Sequence, residues 1–422
     1  MRHTEDARPG AAEPERRPAP APSARAVLGP AGAADTAPTR AGLTAALRPL
    51  LDAPALGDTA TGTVVDTATG RTLFDSGGGR AVVPASTVKL ATGAAALTVL
   101  GPDHRLATRA VWDEDGRRVV LVGGGDPTLT GDRLARLAEA TAAAVRKRGL
   151  APRAVGYDVS RYRGPKRHPI GVNDNLAPLT PLMLNAARTD GSTRGPAPRA
   201  ADPAAEAADA FAALLAEAGV RTGRTGPARA PGDAPVLGTD RSAPMAALVE
   251  RMLTHSDNDL AEALARHTAL AVGEPADFTG TRAATRKVLD SLGLPVDGTV
   301  FADGSGLSRD SRVSARLLAA LLSTAARPAH PELRPLLTGL PVAGFTGTLS
   351  RRYAADGTTD AAGLVRAKTG TLTGVNTLAG QVVDAEGRLL SFAFLTTGTT
   401  DARGAQDALD RLAAAVAACG CR

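Results

Sequence analysis

Lysine occurs at only five places in this 422-residue chain, positions 89, 147, 166, 287 and 368. One of them, Lys89, stands three residues after Ser86 at the mouth of a long apolar run. That run, which includes Leu90, Ala91, Ala94, Leu97, Val99 and Leu100, reads as a buried helix. A spacing of three is nearly one helical turn, so the serine hydroxyl and the lysine amine project from the same face. A serine is a poor nucleophile until a neighbour takes its proton. A lysine can be that neighbour where burial and nearby groups disfavour its charged form. The helix start adds backbone N–H groups and a positive dipole end where an oxyanion would form. Alone, Ser-x-x-Lys more often marks an exposed helix turn.

Two further motifs give it meaning. Only Lys368 is followed by Thr-Gly, and of the five asparagines only Asn258 has a serine two places before it. Ser-Thr-Val-Lys, Ser-Asp-Asn and Lys-Thr-Gly thus occur once each, in that order, on a helix start, between helices and on a strand. This is the motif set of penicillin-binding proteins and class A β-lactamases. The residue types suit acyl transfer. Ser86 attacks a carbonyl carbon, Lys89 accepts its proton, and Ser256 relays a proton toward the leaving amine. Asn258 hydrogen-bonds a substrate amide. Lys368 supplies a fixed positive charge for a carboxylate and keeps Lys89 neutral by like-charge repulsion. The strand Thr369-Gly370-Thr371 offers an edge to an extended peptide. The N–H groups of Ser86 and Thr371 form the oxyanion hole.

Patterning along the chain predicts an α+β sandwich. Residues 1–40, rich in Pro, Ala, Arg and Glu, read as a disordered tail or linker. Strands are expected over 61–67 and 71–74, and again over 364–371, 377–383 and 389–395, whose short links favour antiparallel neighbours. A helix over 402–418 closes the chain. One antiparallel sheet would then be covered by helices on both faces. Between the halves, residues 104–240 are expected to form an inserted domain, with a hairpin over 105–122, helices over 132–148 and 203–218, a strand over 154–159 and a loop over 222–241. Residues 41–103 and 241–422 would make the catalytic domain. Aromatic residues are scarce, so the core must be mostly Ala, Leu and Val.

With these residues the chain resembles the class C low-molecular-mass penicillin-binding proteins, serine D-alanyl-D-alanine carboxypeptidases and endopeptidases. The likeness runs over about residues 42–418. It includes Gly125-Asp126-Pro127-Thr128-Leu129, Tyr157-Asp158-Val159-Ser160 and Asp303-Gly304-Ser305-Gly306-Leu307-Ser308-Arg309. The resemblance implies the penicillin-binding/β-lactamase-like transpeptidase fold and an acyl-enzyme mechanism without cofactor or metal. It also implies peptidoglycan stem peptides as substrates, β-lactams as covalent ligands, and work outside the cytoplasmic membrane. It puts Asp126 and Arg309 beside the pocket, where Asp126 would meet the amine of the peptide's diamino acid; a capped turn and an ion pair weigh almost equally. The insert looks shorter than in larger family members, and no signal sequence is visible.

Other readings are weaker. A serine β-lactamase of class A needs a glutamate well after Ser-Asp-Asn, but Glu262 follows too closely and Glu274 lacks a suitable context. A non-catalytic penicillin-binding module has no need of a nucleophile with its base. Net charge is +6, from 49 basic and 43 acidic residues, with no basic stripe or interleaved aromatics of the kind nucleic acid requires. No stretch approaches the roughly 18 apolar residues of a membrane span. Cys419 and Cys421, the two cysteines, are too close to staple a fold and too few for structural zinc.

Overall fold

The computed structural model describes residues 38–171 and 173–420. The tail expected over 1–40 therefore lies, up to residue 37, outside the described residues, as does Cys421.

Helix α1 (Arg40–Leu51) leads into the antiparallel pair β1 (Thr59–Asp66) and β2 (Thr72–Ser76) and then α2 (Lys89–Leu100). Next come β3 (Ala107–Asp113), β4 (Arg118–Val122), α3 (Gly131–Lys147), β5 (Ala154–Asp158), α4 (Pro203–Glu217), β6 (Thr225–Pro227) and β7 (Val236–Arg241). Four helices follow: α5 (Met245–His255), α6 (Asn258–Ala271), α7 (Phe278–Ser291) and α8 (Ala315–Ala326). The chain ends with β8 (Arg366–Leu372), β9 (Val375–Val383), β10 (Leu389–Thr397) and α9 (Ala402–Ala417).

The main sheet runs β8-β9-β10-β1-β2, every neighbour antiparallel. The first and last segments of the chain are thus stitched together through β1 and β10, paired from Thr59↔Thr397 to Asp66↔Leu390. Strand β9 is buried at every position but its last, as a strand covered on both faces should be. On one face lie α2, α5, α6 and α8 with an aliphatic core that includes Leu90, Val249, Leu264 and Leu318. On the other lie α1 and α9, with Leu43, Leu409 and the stacked pair Phe392 and Phe394. This is the two-sided α+β sandwich that the sequence predicts, with Ala supplying much of the helix packing.

A second sheet, ordered β6-β5-β4-β3-β7, uses only residues between 107 and 241. Its core, including Leu121, Leu137 and Phe211, is separate from those of the main sheet. Strand β3 is antiparallel to β4 and β7, while β4, β5 and β6 are parallel, joined by crossovers through α3 and α4. Here the sequence reading needs correction: the expected loop over 222–241 contains both edge strands. Strand β6 is three residues long and ends on Pro227, which only an edge tolerates, and its Gly- and Pro-rich surroundings hide it. Among the described residues no helix is long and apolar enough to cross a membrane.

Packing on the sheet gives α8 its stability. Leu318→Ala, at a fully buried position on that helix, should cost about 2–5 kcal/mol in urea unfolding. Leu270→Ala, at an exposed site on α6, should cost no more than about 0.5 kcal/mol.

Candidate active site

Ser86 sits in a single 3₁₀ turn, Ala85–Val88, that runs directly into α2. The residue before it, Ala85, has φ 47°, a left-handed conformation that alanine adopts only when its surroundings impose it. The imposing contacts are visible. The Pro84 carbonyl accepts hydrogen bonds from the hydroxyls of Thr87 at 2.7 Å and Thr377 at 2.9 Å. Gly306, with φ +81°, packs so closely that a Cβ there would lie 2.0 Å from the Ala85 oxygen. Gly370 of β8 closes the other side: its Cβ would lie 2.1 Å from Thr377 Oγ1 and 3.0 Å from the Ser86 nitrogen. The glycine of Lys-Thr-Gly thus lets the edge strand approach the serine backbone.

Lys89 has no solvent exposure. Its Nζ lies 2.9 Å from Ser86 Oγ and donates to Asn258 Oδ1 at 2.7 Å and to the Ser305 carbonyl at 2.6 Å. Burial pulls its pKa down to about 8, against the opposing pull of Asp303, Asp257, Glu262 and Asp259. Ser256 ends α5 in a left-handed conformation, φ 56° and ψ 39°, and Asp257 caps α6. That reversal between two helices turns Ser256 Oγ toward Lys368, whose Nζ donates to it at 3.0 Å and to the Thr369 carbonyl at 2.6 Å. Lys368 is also fully buried, and burial, helped by Lys89, holds its pKa well below the ordinary lysine value. This corrects the expectation of a fixed positive charge on Lys368: its burial disfavours the charged form. Desolvation, not repulsion from Lys368, heads the causes that lower Lys89.

The structure thus brings Ser86, Lys89, Ser256, Asn258, Lys368, Thr369, Gly370 and Thr371 together. Ser86, Ser256 and Thr371 border two cavities. One, of about 220 Å³, is also lined by Asn175, Arg188, Arg194, His255 and Asp259. The other, of about 260 Å³, is lined by Thr348, Arg352, Thr369 and Gln406, with Thr369 and Thr348 joined through their hydroxyls at 2.7 Å.

Asp126 and Arg309 are not among the residues that line these cavities. The Asp126 side chain has no exposure. One oxygen accepts from the Thr128 N–H and hydroxyl, and the other pairs with Arg133 at 2.8 Å. Its bonds are spent on a capped turn and a buried ion pair, and it lines neither cavity. Arg309 donates to the Thr373 carbonyl, at the turn between β8 and β9, at 2.6 Å, and it too lines neither.

Sequence reasoning missed Asn175, Arg188, Arg194 and Asp259. The first three come from an irregular stretch with no motif. Asp259 directly follows Ser-Asp-Asn and forms a buried ion pair with Arg199 at 2.8 Å. Burial and the nearby Asp257 hold its carboxyl above the usual range, against Arg199.

A model of the D-Ala-D-Ala carboxypeptidase 3 (S13) family matches residues 43–190 and 184–416. A carboxypeptidase of Mycobacterium tuberculosis is 37% identical over 389 residues, 87% of this chain and 82% of that protein. Carboxypeptidase DacB of Mycolicibacterium smegmatis is 38% identical over 387 residues, 86% of this chain and 81% of that protein. Among solved structures, penicillin-binding protein 4 of Haemophilus influenzae superposes with a TM-score of 0.70 at 22% identity, covering 88% of this chain and 97% of its own. The last likeness is one of fold.

The close approach at Gly370 is open to test. In Gly370→Ala the new methyl collides with backbone and with Thr377, so β8 must withdraw from the serine turn. Modification of Ser86 by a penicillin should slow by roughly 10²-fold, the scale of a 1 Å misplacement. A stopped-flow rate equal to that of the unmodified protein would show that the approach has no bearing on reactivity.

Proposed function

The chain belongs to the D-Ala-D-Ala carboxypeptidase (S13) family and is a serine-type peptidase of the class C penicillin-binding group; from that premise we propose how its residues divide the reaction. Ser86 is the nucleophile. Neutral Lys89 takes its proton as the Ser86 oxygen bonds to the penultimate D-alanine carbonyl. The oxyanion that forms is held by the N–H groups of Ser86 and Thr371. The Ser256 hydroxyl gives its proton to the leaving amine and is resupplied by the Lys368 ammonium that donates to it, while Lys89 keeps the Ser86 proton until the ester is cleaved; the C–N bond breaks, and terminal D-alanine departs. Water attacks the ester by the reverse proton path and frees Ser86.

The observation that carries this assignment is one buried amine, 2.9 Å from Ser86 Oγ, with a pKa lowered to about 8. At neutral pH a useful fraction is neutral, as a base requires. Lys368 takes up its charge when the substrate carboxylate arrives, since an opposite charge nearby favours the ammonium. Asn258 has one amide hydrogen committed to the Asn175 carbonyl at 2.9 Å, which leaves the other for a substrate carbonyl. Strand β8 lies at the edge of its sheet, so an extended peptide can pair with it.

The substrates are peptidoglycan stem peptides ending in D-Ala-D-Ala, and the site of action is outside the cytoplasmic membrane. β-Lactams acylate Ser86 because their strained amide beside a carboxylate mimics that terminus. Residues 104–240 act as an inserted domain that shapes access, with Asp126 holding its fold rather than touching substrate. A class A β-lactamase reading finds no support at Glu262. One of its oxygens accepts from the Gly304 and Ser305 N–H groups, and the other pairs with Arg266.

Intact-protein mass spectrometry after penicillin should give one long-lived adduct, absent in Ser86→Ala. Rapid release of hydrolysed penicillin would instead identify a β-lactamase. Lys89→Ala should slow acylation by roughly 10²-fold or more. The unmodified protein's acylation rate should rise with pH and level off above about 8. A rate flat across that range, or a Lys89→Ala protein that acylates normally, contradicts the assignment of the base.

A further inference from the structure

The Ser305 carbonyl that receives the Lys89 hydrogen bond belongs to a loop held by its own side chains and by neighbouring elements. Gly304 and Ser305 donate their N–H groups to Glu262 Oε1, each at 3.0 Å, and the Gly304 carbonyl accepts from Thr92 Oγ1 at 2.7 Å. The hub is Asp303. It accepts from Ser305 Oγ at 3.0 Å, Gly306 N at 3.0 Å, Ser308 N at 2.8 Å and Ser311 Oγ at 3.2 Å. All four partners lie in Asp303's own loop. One partner comes from far away in sequence: His168 Nε2, 3.1 Å from Asp303 Oδ2, with both side chains fully shielded.

Two further contacts orient the His168 ring. The Ile170 N–H points at Nδ1 from 3.3 Å, so Nδ1 is the acceptor and the neutral ring carries its proton on Nε2, facing Asp303. Phe278 packs edge-on at 5.3 Å between centroids. His168, Glu262 and Asp303 lie close enough to suggest a cation site. Yet the carboxylate oxygens already accept N–H or O–H groups, so the charges are satisfied without a metal.

We propose that His168 is a positioning residue for the catalytic lysine: it anchors Asp303 from the 104–240 segment and so holds the Ser305 carbonyl where Lys89 needs it. The chain of contacts is His168 to Asp303, Asp303 to the 304–308 loop, and the Ser305 carbonyl to Lys89 Nζ. Asp303 is also first among the carboxylates that favour the Lys89 charge, so a shift of its carboxylate changes both the geometry and the field at the amine. The segment carrying the second sheet therefore reaches the proton-transfer machinery itself, besides contributing walls to the cleft.

The test is the kinetics of penicillin acylation, resolved into the dissociation constant of the initial complex and the first-order acylation step. His168→Leu should slow the acylation step by roughly tenfold or more with the initial binding unchanged. His168→Gln, which can offer an amide N–H near the Nε2 position, should restore the step to within roughly threefold of the unmodified protein. A His168→Leu protein that acylates at the normal rate overturns the proposal, as does a folded His168→Gln as slow as His168→Leu. If His168→Leu does not fold, ¹⁵N-histidine NMR of the unmodified protein decides. The proposal requires the Nε2–H tautomer and a shift of that signal when Ser86 is acylated; a proton on Nδ1, or an unmoved signal, refutes it. The inference rests on Lys89 as the base. Failure of the unmodified protein to acylate at Ser86 would fail that reading, whereas normal acylation with an indifferent His168→Leu fails this one alone.

Discussion

Two lysine side chains without solvent exposure stand one hydrogen bond from two serines, Lys89 from Ser86 and Lys368 from Ser256. Among the described residues, neither amine forms an ion pair with a carboxylate. Removing an ammonium from water costs several kcal/mol unless the group is paired or gives up its proton. Here the protein supplies neutral acceptors instead: an asparagine oxygen, two backbone carbonyls and two hydroxyls. These oxygens satisfy the amine's hydrogens without the full charge that would fix the proton on it. The sandwich, the helices and the loops around the cleft serve to hold that arrangement dry.

Holding it requires backbone conformations that local preference opposes. Ala85 and Ser256 both have positive φ, and each such residue costs on the order of 1–3 kcal/mol. Both strained residues adjoin or carry a reactive hydroxyl. The compensation comes from the buried elements on either side: α2 after Ser86, the helix pair α5 and α6 around Ser256, and β8 against the serine turn. Gly306 and Gly370 permit approaches that any side chain would block. The reactive serine is therefore fixed by contacts from three separated stretches of chain.

Much of this was legible in the sequence because the chemistry is local there. Ser86 and Lys89 are within one turn, Ser256 and Asn258 within one reversal, and Lys368 and Thr371 on one strand. Hydrophobic continuity gave away the buried strand β9 and the helix α2. The second sheet was harder to see. Its edge strands are short, and a Pro-terminated strand such as β6 carries no periodic signal. Asp126 and Arg309 line neither cavity, because a motif names a neighbourhood and only packing decides which way a side chain faces. The Arg199–Asp259 and His168–Asp303 pairs are 60 and 135 residues apart, so no spacing rule reaches them. The lowered affinity of Lys368 for its proton was hidden for a related reason. Lysine type and strand position are written in the sequence, but the depth of burial is a property of the assembled fold.

With five lysines in the chain, the central claim can be read one site at a time. Lysine labelled with ¹³C at the ε carbon, followed by NMR across pH and assigned by the Lys89→Ala and Lys368→Ala spectra, gives each amine its own titration curve. The account predicts that Lys89 titrates near 8 and Lys368 well below its ordinary value. Lys89 titrating near the free lysine value of about 10.4 would mean an ammonium at neutral pH, and it would remove the base on which the mechanism depends.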